Sequence, residues 1–187
     1  MSEGDLHDRL VQLAHQAGFP VAGGVDIAPA RSAYQEHASR YRSWMEQGNA
    51  GEMAYLVRGL ERRLAPELVF PASLSVFCVL SPYSRSSAGE SDPRNGVQYA
   101  RYLKGADYHE SVSRRLEEVL GAARAPGLEW KVCVDTSAVL ERSWAALAGL
   151  GWIGKNTLLI HPKLGSYTFI GVAFLNQPLN RSVDLQP

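Results

Sequence analysis

Leu74-Ser75-Val76-Phe77-Cys78-Val79-Leu80 is an almost unbroken apolar run that includes β-branched and aromatic side chains. A run this short, bounded by polar and turn residues, fits a strand, and apolar side chains at both odd and even positions leave neither face for water. The stretch is read as a central strand of a sheet covered on both sides. The 187 residues supply the covering elements. They fit one domain, 1–187, in which a chain of this size buries roughly 70% of its unfolded surface.

Working outward, Phe19–Ile27 (FPVAGGVDI) reads as a shorter strand interrupted by Gly23 and Gly24. Trp130–Val134, Thr157–Ile160 and Tyr167–Leu175 read as later strands. Helical spacing appears between them. Leu6, Leu10, Leu13, Ala14 and Ala17 form one stripe ending at Gly18, a helix-terminating residue. Pro29 opens a second helix whose inward side carries Tyr34, His37, Ala38, Tyr41, Trp44 and Met45. Gly48–Val57 turns into a short helix, and Ala106–Ala123 and Ala138–Ala148 are two more. Ser84–Gly96, rich in Ser, Gly, Pro, Asp and Arg, is expected to be a surface loop. The order gives an α/β (α+β) fold, a layered mixed sheet flanked by helices, with its last two strands antiparallel across Pro162–Ser166.

Charge and composition narrow the function classes. Nineteen basic residues balance nineteen acidic ones, which excludes a basic coat and confines any RNA contact to one face. Arg58, Arg62, Arg63, Arg101, Lys104, Arg114 and Arg115 are the candidates for that face. No apolar run reaches the roughly 20 residues of a membrane span, and MSEGDLHDRL lacks a signal-peptide pattern, so a cytoplasmic protein without membrane contact is expected. Cys78 and Cys133 cannot build a disulfide framework, a four-thiolate zinc site or a four-cysteine cluster. The five histidines are dispersed, so no metal site made of protein side chains is expected.

Gly149-Leu150-Gly151-Trp152-Ile153-Gly154, followed by Lys155-Asn156, imitates two nucleotide-binding patterns. Phosphate binding needs a strand before the glycines and a helix after them, and here the order is reversed. A tight helix-to-strand turn is the expected role. Asp107-Tyr108-His109 stands at a helix start, where Asp107 could cap or the trio could act chemically. Asp135 ends a strand before a helix carrying Arg142, and spacing alone favours a cap there too.

These residues together resemble a family. Val132–Leu175 is similar to the epoxyqueuosine reductases in three successive stretches. They are Val134-Asp135-Thr136 running to Glu141-Arg142, Ala148–Asn156, and Pro162–Phe169. Gly51-Glu52-Met53, Arg62-Arg63 with Pro66, and Ala100-Arg101-Tyr102 through Asp107-Tyr108-His109 resemble upstream parts of the same family. The resemblance implies the cobalamin-binding fold shared with reductive dehalogenases, with cobalt lacking a protein axial ligand. It implies reduction of epoxyqueuosine to queuosine at the wobble position of tRNA, with the anticodon stem-loop as partner. Asp135 matches the proton donor. Asp107, Tyr108, His109 and Arg142 match the pocket around the modified base. Arg63, Ala100, Asn156, Leu159 and Ile170 match cobalamin contacts.

Two departures accompany the match. Ala100 stands where some relatives carry Cys, and the chain reaches Pro187 without the cysteine-rich 4Fe-4S region of the family. The clusters are therefore expected from a missing C-terminal domain or a separate iron–sulfur protein. A stand-alone cobalamin-binding or carrier module without redox catalysis is the competing class.

Overall fold

The computed structural model describes residues 5–83, 100–103, 107–135 and 137–183, and the expected Ser84–Gly96 loop lies outside them. Six strands are present among these residues: β1 (Val21–Asp26), β2 (Ser75–Pro82), β3 (Trp130–Cys133), β4 (Trp152–Ile153), β5 (Leu159–Ile160) and β6 (Thr168–Leu175). The main sheet has the order β1-β2-β6-β3, and β4 and β5 form a separate hairpin.

The Leu74–Leu80 run behaves as its composition dictates. Ser75 through Leu80 have no exposure, and only Leu74, just outside the strand, is half-exposed. Val76, Cys78 and Leu80 project into one apolar cluster, and Phe77 and Val79 into another. The first cluster is closed by α2 (Ile27–Glu46), α4 (Leu60–Leu64) and α6 (Glu141–Leu147). The second is closed by α1 (Leu6–Gln16) and α5 (Tyr108–Ala122). On β6, Val172 and Phe174 face the first cluster, and Ala173 and Leu175 the second, as the two-residue period of a strand requires.

Every pairing in the main sheet is antiparallel, so the mixed pairing expected from sequence resolves to one sense. The reason lies in the connections. Between β1 and β2 the chain passes up α2 and back through α3 (Ala54–Arg58), α4 and a short 3-10 turn at Pro66–Leu68, so β2 starts where β1 ended. Two helical legs of opposite direction cancel, whereas a single crossover helix would give a parallel pair.

The expected antiparallel pairing of the last two strands is replaced by β4 with β5, through Trp152↔Ile160 and Ile153↔Leu159. Gly149 and Gly151 have φ of 79° and 150° and reverse the chain after α6. A Cβ on Gly151 would lie 2.3 Å from the Ile160 carbonyl oxygen, so only glycine lets the hairpin close there. The glycine motif is the helix-to-strand turn that its order predicts.

Two helices differ in extent from the sequence reading. The inward stripe of α2 is buried only as far as Ala38, and Trp44 is exposed, resting on Tyr41 at 6.0 Å between ring centroids. Instead of starting at Ala138, α6 starts at Glu141, which leaves Val134, Asp135 and residues 137–140 outside regular secondary structure.

Candidate functional site

The antiparallel register brings several chain ends together. β2 finishes and β6 begins at the same end of the sheet, with Pro82 opposite Thr168, and β3 finishes beside them with Cys133 opposite Val172. The first turns of α5 and α6 supply Tyr108, Glu141 and Arg142 at this end. A cavity of about 510 Å³ lies there. Its apolar lining is Leu158, Leu159, Phe169 and Ile170, and its polar lining includes Tyr108, Asp135, Glu141, Arg142, Ser166 and Thr168, with Tyr83 and Tyr102 completing it.

Tyr108, His109 and Asp135 form the most connected group. Asp107 caps α5 by accepting the His109 N–H at 2.8 Å, and the same oxygen lies 2.8 Å from His109 Nδ1. Capping and side-chain chemistry are thus combined in one carboxylate. His109 Nε2 is 3.3 Å from Asp135 Oδ2, to which the Tyr108 hydroxyl donates at 2.8 Å. The Tyr108 ring stacks on Phe169 at 3.9 Å and on His109 at 4.0 Å, which fixes both polar tips relative to β6.

The charges follow from these contacts. Burial disfavours an imidazolium at His109, but the hydrogen bonds to Asp107 and Asp135 outweigh it and raise the pKa. Hydrogen bonds from the His109 side chain and backbone lower that of Asp107. Burial, then the bond to the Asp135 carboxylate, pushes the Tyr108 phenol well above its ordinary range, so it remains a neutral donor.

Asp135 does not cap α6. It has φ of 52°, in the left-handed region, and stands six residues before the helix. Its backbone N–H donates to Glu141 Oε1 at 2.5 Å. Burial pushes the Glu141 carboxyl up to about 8, against the Asp135 N–H bond, which favours the ionised form. Sequence reasoning did not single out Glu141 as a site residue, although it stands in the run beside Arg142. Nor did it single out Tyr83, Tyr102 or Phe169 as site residues, although Tyr102 and Phe169 stand in stretches that carry the resemblance.

The other matched positions are more scattered. Leu159 and Ile170 line the cavity, and Arg142 reaches from its wall to the Thr157 carbonyl at 3.0 Å. Asn156 is exposed beyond the lining, and its side chain accepts the Leu158 N–H at 3.2 Å. Ala100 is exposed and precedes the 3-10 turn carrying Tyr102. Arg63 lies outside the lining, against Gly59 and near Ala138 of the loop that follows Asp135, and its buried Nη1 has no hydrogen-bond partner among the described residues. Arg115 is turned inward, donating to Ala17 and Ser81 and lying over Phe19, which removes it from the basic face expected from sequence. Among the described residues no group of three His, Cys, Asp or Glu side chains gathers as metal ligands.

The Glu141 shift makes a prediction about stability. A carboxyl whose folded pKa is raised from 4.5 to about 8 binds more protons folded than unfolded between those values. Its contribution is complete below about pH 4.5 and declines as pH rises through about 8. Glu141→Gln, which cannot ionise, should flatten the fall in Tm between these limits. His109, also raised, contributes a decline in the same direction, so the wild-type-minus-variant difference isolates Glu141. Parallel Tm-against-pH curves for the two proteins would contradict the assignment.

The chain is similar to known proteins in sequence and in fold. The family described as Epoxyqueuosine reductase QueG, DUF1730 matches residues 63–136, a span that contains Arg63, Ala100, Asp107–His109 and Asp135. The epoxyqueuosine reductase of Cyclobacterium marinum is 34% identical over 183 residues, covering 96% of this chain and 57% of that protein. That of Gloeobacter violaceus is 39% identical over 160 residues, covering 84% and 48%. Among solved structures, an epoxyqueuosine reductase with an epoxyqueuosine-modified tRNA-Tyr stem loop superposes on 96% of this chain and 47% of its own, with TM-score 0.75 at 20% identity. A reductive dehalogenase whose structure suggests a mechanism for B12-dependent dehalogenation superposes on 96% of this chain and 21% of its own, with TM-score 0.58 at 16% identity. These likenesses establish a shared fold, and the chain spans about half the length of the curated relatives it matches. Across nearly its whole length the chain is therefore related to the epoxyqueuosine reductases, matching about half of each of them.

Proposed function

We propose that residues 1–187 act as the cobalamin-binding, substrate-facing unit of an epoxyqueuosine reductase, which reduces epoxyqueuosine to queuosine at the wobble position of tRNA. The observation that carries this reading is the Asp135 carboxylate at the cavity, bonded to Tyr108 and adjacent to a His109 of raised pKa. Converting an epoxide to an alkene and water consumes two electrons and two protons. Asp135 Oδ2 is the atom from which the departing oxygen takes a proton, as a positioned general acid does. His109 Nε2 can return a proton to Asp135 across 3.3 Å, while Asp107 orients the ring through Nδ1. Arg142 offers donors to the cyclopentane-diol of the substrate, and the Tyr108 oxygen, its proton directed at Asp135, offers an acceptor.

The cavity suits a corrinoid on two counts. It offers Leu158, Leu159, Phe169 and Ile170 to an apolar ring face and hydroxyls at Ser166 and Thr168 to a fringe of amides. Near Ala138, in the loop after Asp135, the buried Arg63 Nη1 is a donor without an acceptor among the described residues. Leu159 and Ile170 would hold the ring, with Arg63, Ala100 and Asn156 as outer contacts. When bound, low-valent cobalamin supplies the two electrons.

Renewal of those electrons belongs to 4Fe-4S clusters outside this chain, on a C-terminal domain or an iron–sulfur partner. Cys78 and Cys133 are buried in the sheet, where burial raises both thiol pKa values, and they do not serve as cluster ligands. The tRNA stem-loop structure of the relative supports an anticodon stem-loop as partner, and tRNA maturation fits a cytoplasmic site of action. No helix among the described residues is long and apolar enough to cross a membrane.

Two additions test the proposal. Cobalamin added to the chain should change its visible spectrum, and strong chemical reductant with epoxyqueuosine-containing stem-loop RNA should then yield queuosine. No spectral change would overturn the corrinoid assignment. Binding without conversion would favour a cobalamin carrier.

A further inference from the structure

We infer that Glu141 is a positioning residue whose side chain latches the Asp135 backbone in the turn that presents the Asp135 carboxylate to Tyr108 and His109. Four observations meet at this point. Asp135 is a non-glycine residue at φ 52°, a conformation that persists only when its surroundings hold it. Its N–H has a specific partner, Glu141 Oε1. Glu141 is the first residue of α6, so the partner is mounted on a helix rather than on the loop it restrains. Both carboxyl groups line the same cavity, which puts the latch next to the group it places.

The choice of residue follows from electrostatics. The charged groups acting on Glu141 are Asp135, Arg142 and His109. Two ionised carboxylates this close would repel, and burial keeps Glu141 protonated near neutrality, so it can accept the Asp135 N–H without opposing the Asp135 charge. Glutamine reproduces that arrangement, with an amide oxygen in place of the carbonyl oxygen. Methionine matches the length of the side chain but cannot accept the bond comparably.

The relevance of the latch to turnover rests on the proposed function, but its geometry does not, and the experiment separates the two. The imidazole of His109 reports where the Asp135 carboxylate stands, because the bond between them favours the imidazolium. In the chain without cofactor, NMR titration of His109 should show a pKa lowered by D135N. E141M should lower it to a similar extent, the D135N/E141M pair no further than D135N alone, and E141Q should leave it at the wild-type value. Amide exchange in the wild-type protein, which needs no variant to fold, should find the Asp135 N–H protected. In the turnover assay E141M should lose about 100-fold in kcat, the scale of an ångström-level misplacement, while E141Q stays within a few fold of wild type. An unprotected Asp135 amide, a His109 titration unchanged in E141M, or additive shifts in the double variant would overturn the latch. If the NMR results hold and no queuosine is formed, the latch stands and the reductase reading fails.

Discussion

Asp135→Asn should reduce single-turnover conversion of epoxyqueuosine RNA by about 10²- to 10⁴-fold, the usual contribution of a positioned proton donor. The substitution is nearly isosteric. The amide oxygen can still accept from Tyr108, and the backbone N–H can still donate to Glu141, so the cavity keeps its shape. What disappears is a carboxylate oxygen that can take a proton from His109 and pass it to the departing oxygen. The loss should therefore fall on kcat, with KM for the RNA and the cobalamin spectrum close to wild type. His109 supplies the internal control, because losing the Asp135 charge should lower its pKa whether or not turnover is observed. Wild-type kcat in Asp135→Asn, accompanied by the expected His109 shift, would move the proton donor elsewhere in the cavity. Glu141 would then be the leading candidate, since burial pushes its carboxyl up to about 8 and keeps it protonated near neutrality.

The role of Asp135 shows where sequence reasoning stops. Strand end, polar residue and following helix are the local signature of an N-cap, and a capping carboxylate would be stabilised in its ionised form by the helix N-terminus. The structure shows no such cap, because α6 starts only at Glu141 and Asp135 stands in a left-handed conformation. No propensity reveals such a turn, since it is held by a bond to a side chain six residues later. Asp107 illustrates the opposite case, in which the cap is real and the same oxygen also holds the His109 ring.

The fold was more legible because burial leaves a periodic trace. Leu74–Leu80 announced a strand covered on both faces, and the helix-then-strand order around Gly149–Gly154 ruled against a phosphate loop. Strand sense was not legible, since it depends on whether one or two helical legs join the strands, and α3 and α4 are only five residues each. The position of Arg115 was equally hidden. A basic residue on a helix reads as solvated, yet this one donates to the Ala17 carbonyl and lies 3.9 Å above the Phe19 ring. Of the residues gathered at this end of the sheet, Asp107, Asp135, His109 and Arg142 were candidates from residue type and resemblance, and Glu141 was not. The site was not legible in Tyr83, Tyr102 and Phe169, whose place at the cavity follows from the shared end of β2 and β6.

Trp144→Ala should be the most destabilising single change in the support of this site. Trp144 has no exposure, stacks on Tyr34 with centroids 4.2 Å apart and meets Phe174 edge-on at 6.1 Å. It thereby ties α6 to both α2 and β6. Seven residues of helix are too few to persist on their own propensity, so α6 depends on that packing. Truncation to Ala removes the indole and leaves a cavity, at a cost of about 3–5 kcal/mol. For a domain of this size that corresponds to a Tm lowered by roughly 6–20 °C. Trp144→Phe keeps a ring between Tyr34 and Phe174 and should lose distinctly less. Urea unfolding followed by far-UV circular dichroism gives the comparison, with a lower midpoint and an unchanged m-value expected for Trp144→Ala. At temperatures where the variant is still folded, its damage should pass along α6 to Glu141 and Arg142 at the helix start. The Asp135 amide should then exchange faster than in Trp144→Phe, although Trp144 is not among the residues that line the cavity. A loss below about 1 kcal/mol, within the ordinary scatter of surface substitutions and small core changes, would mean that α6 is held by something other than its buried face.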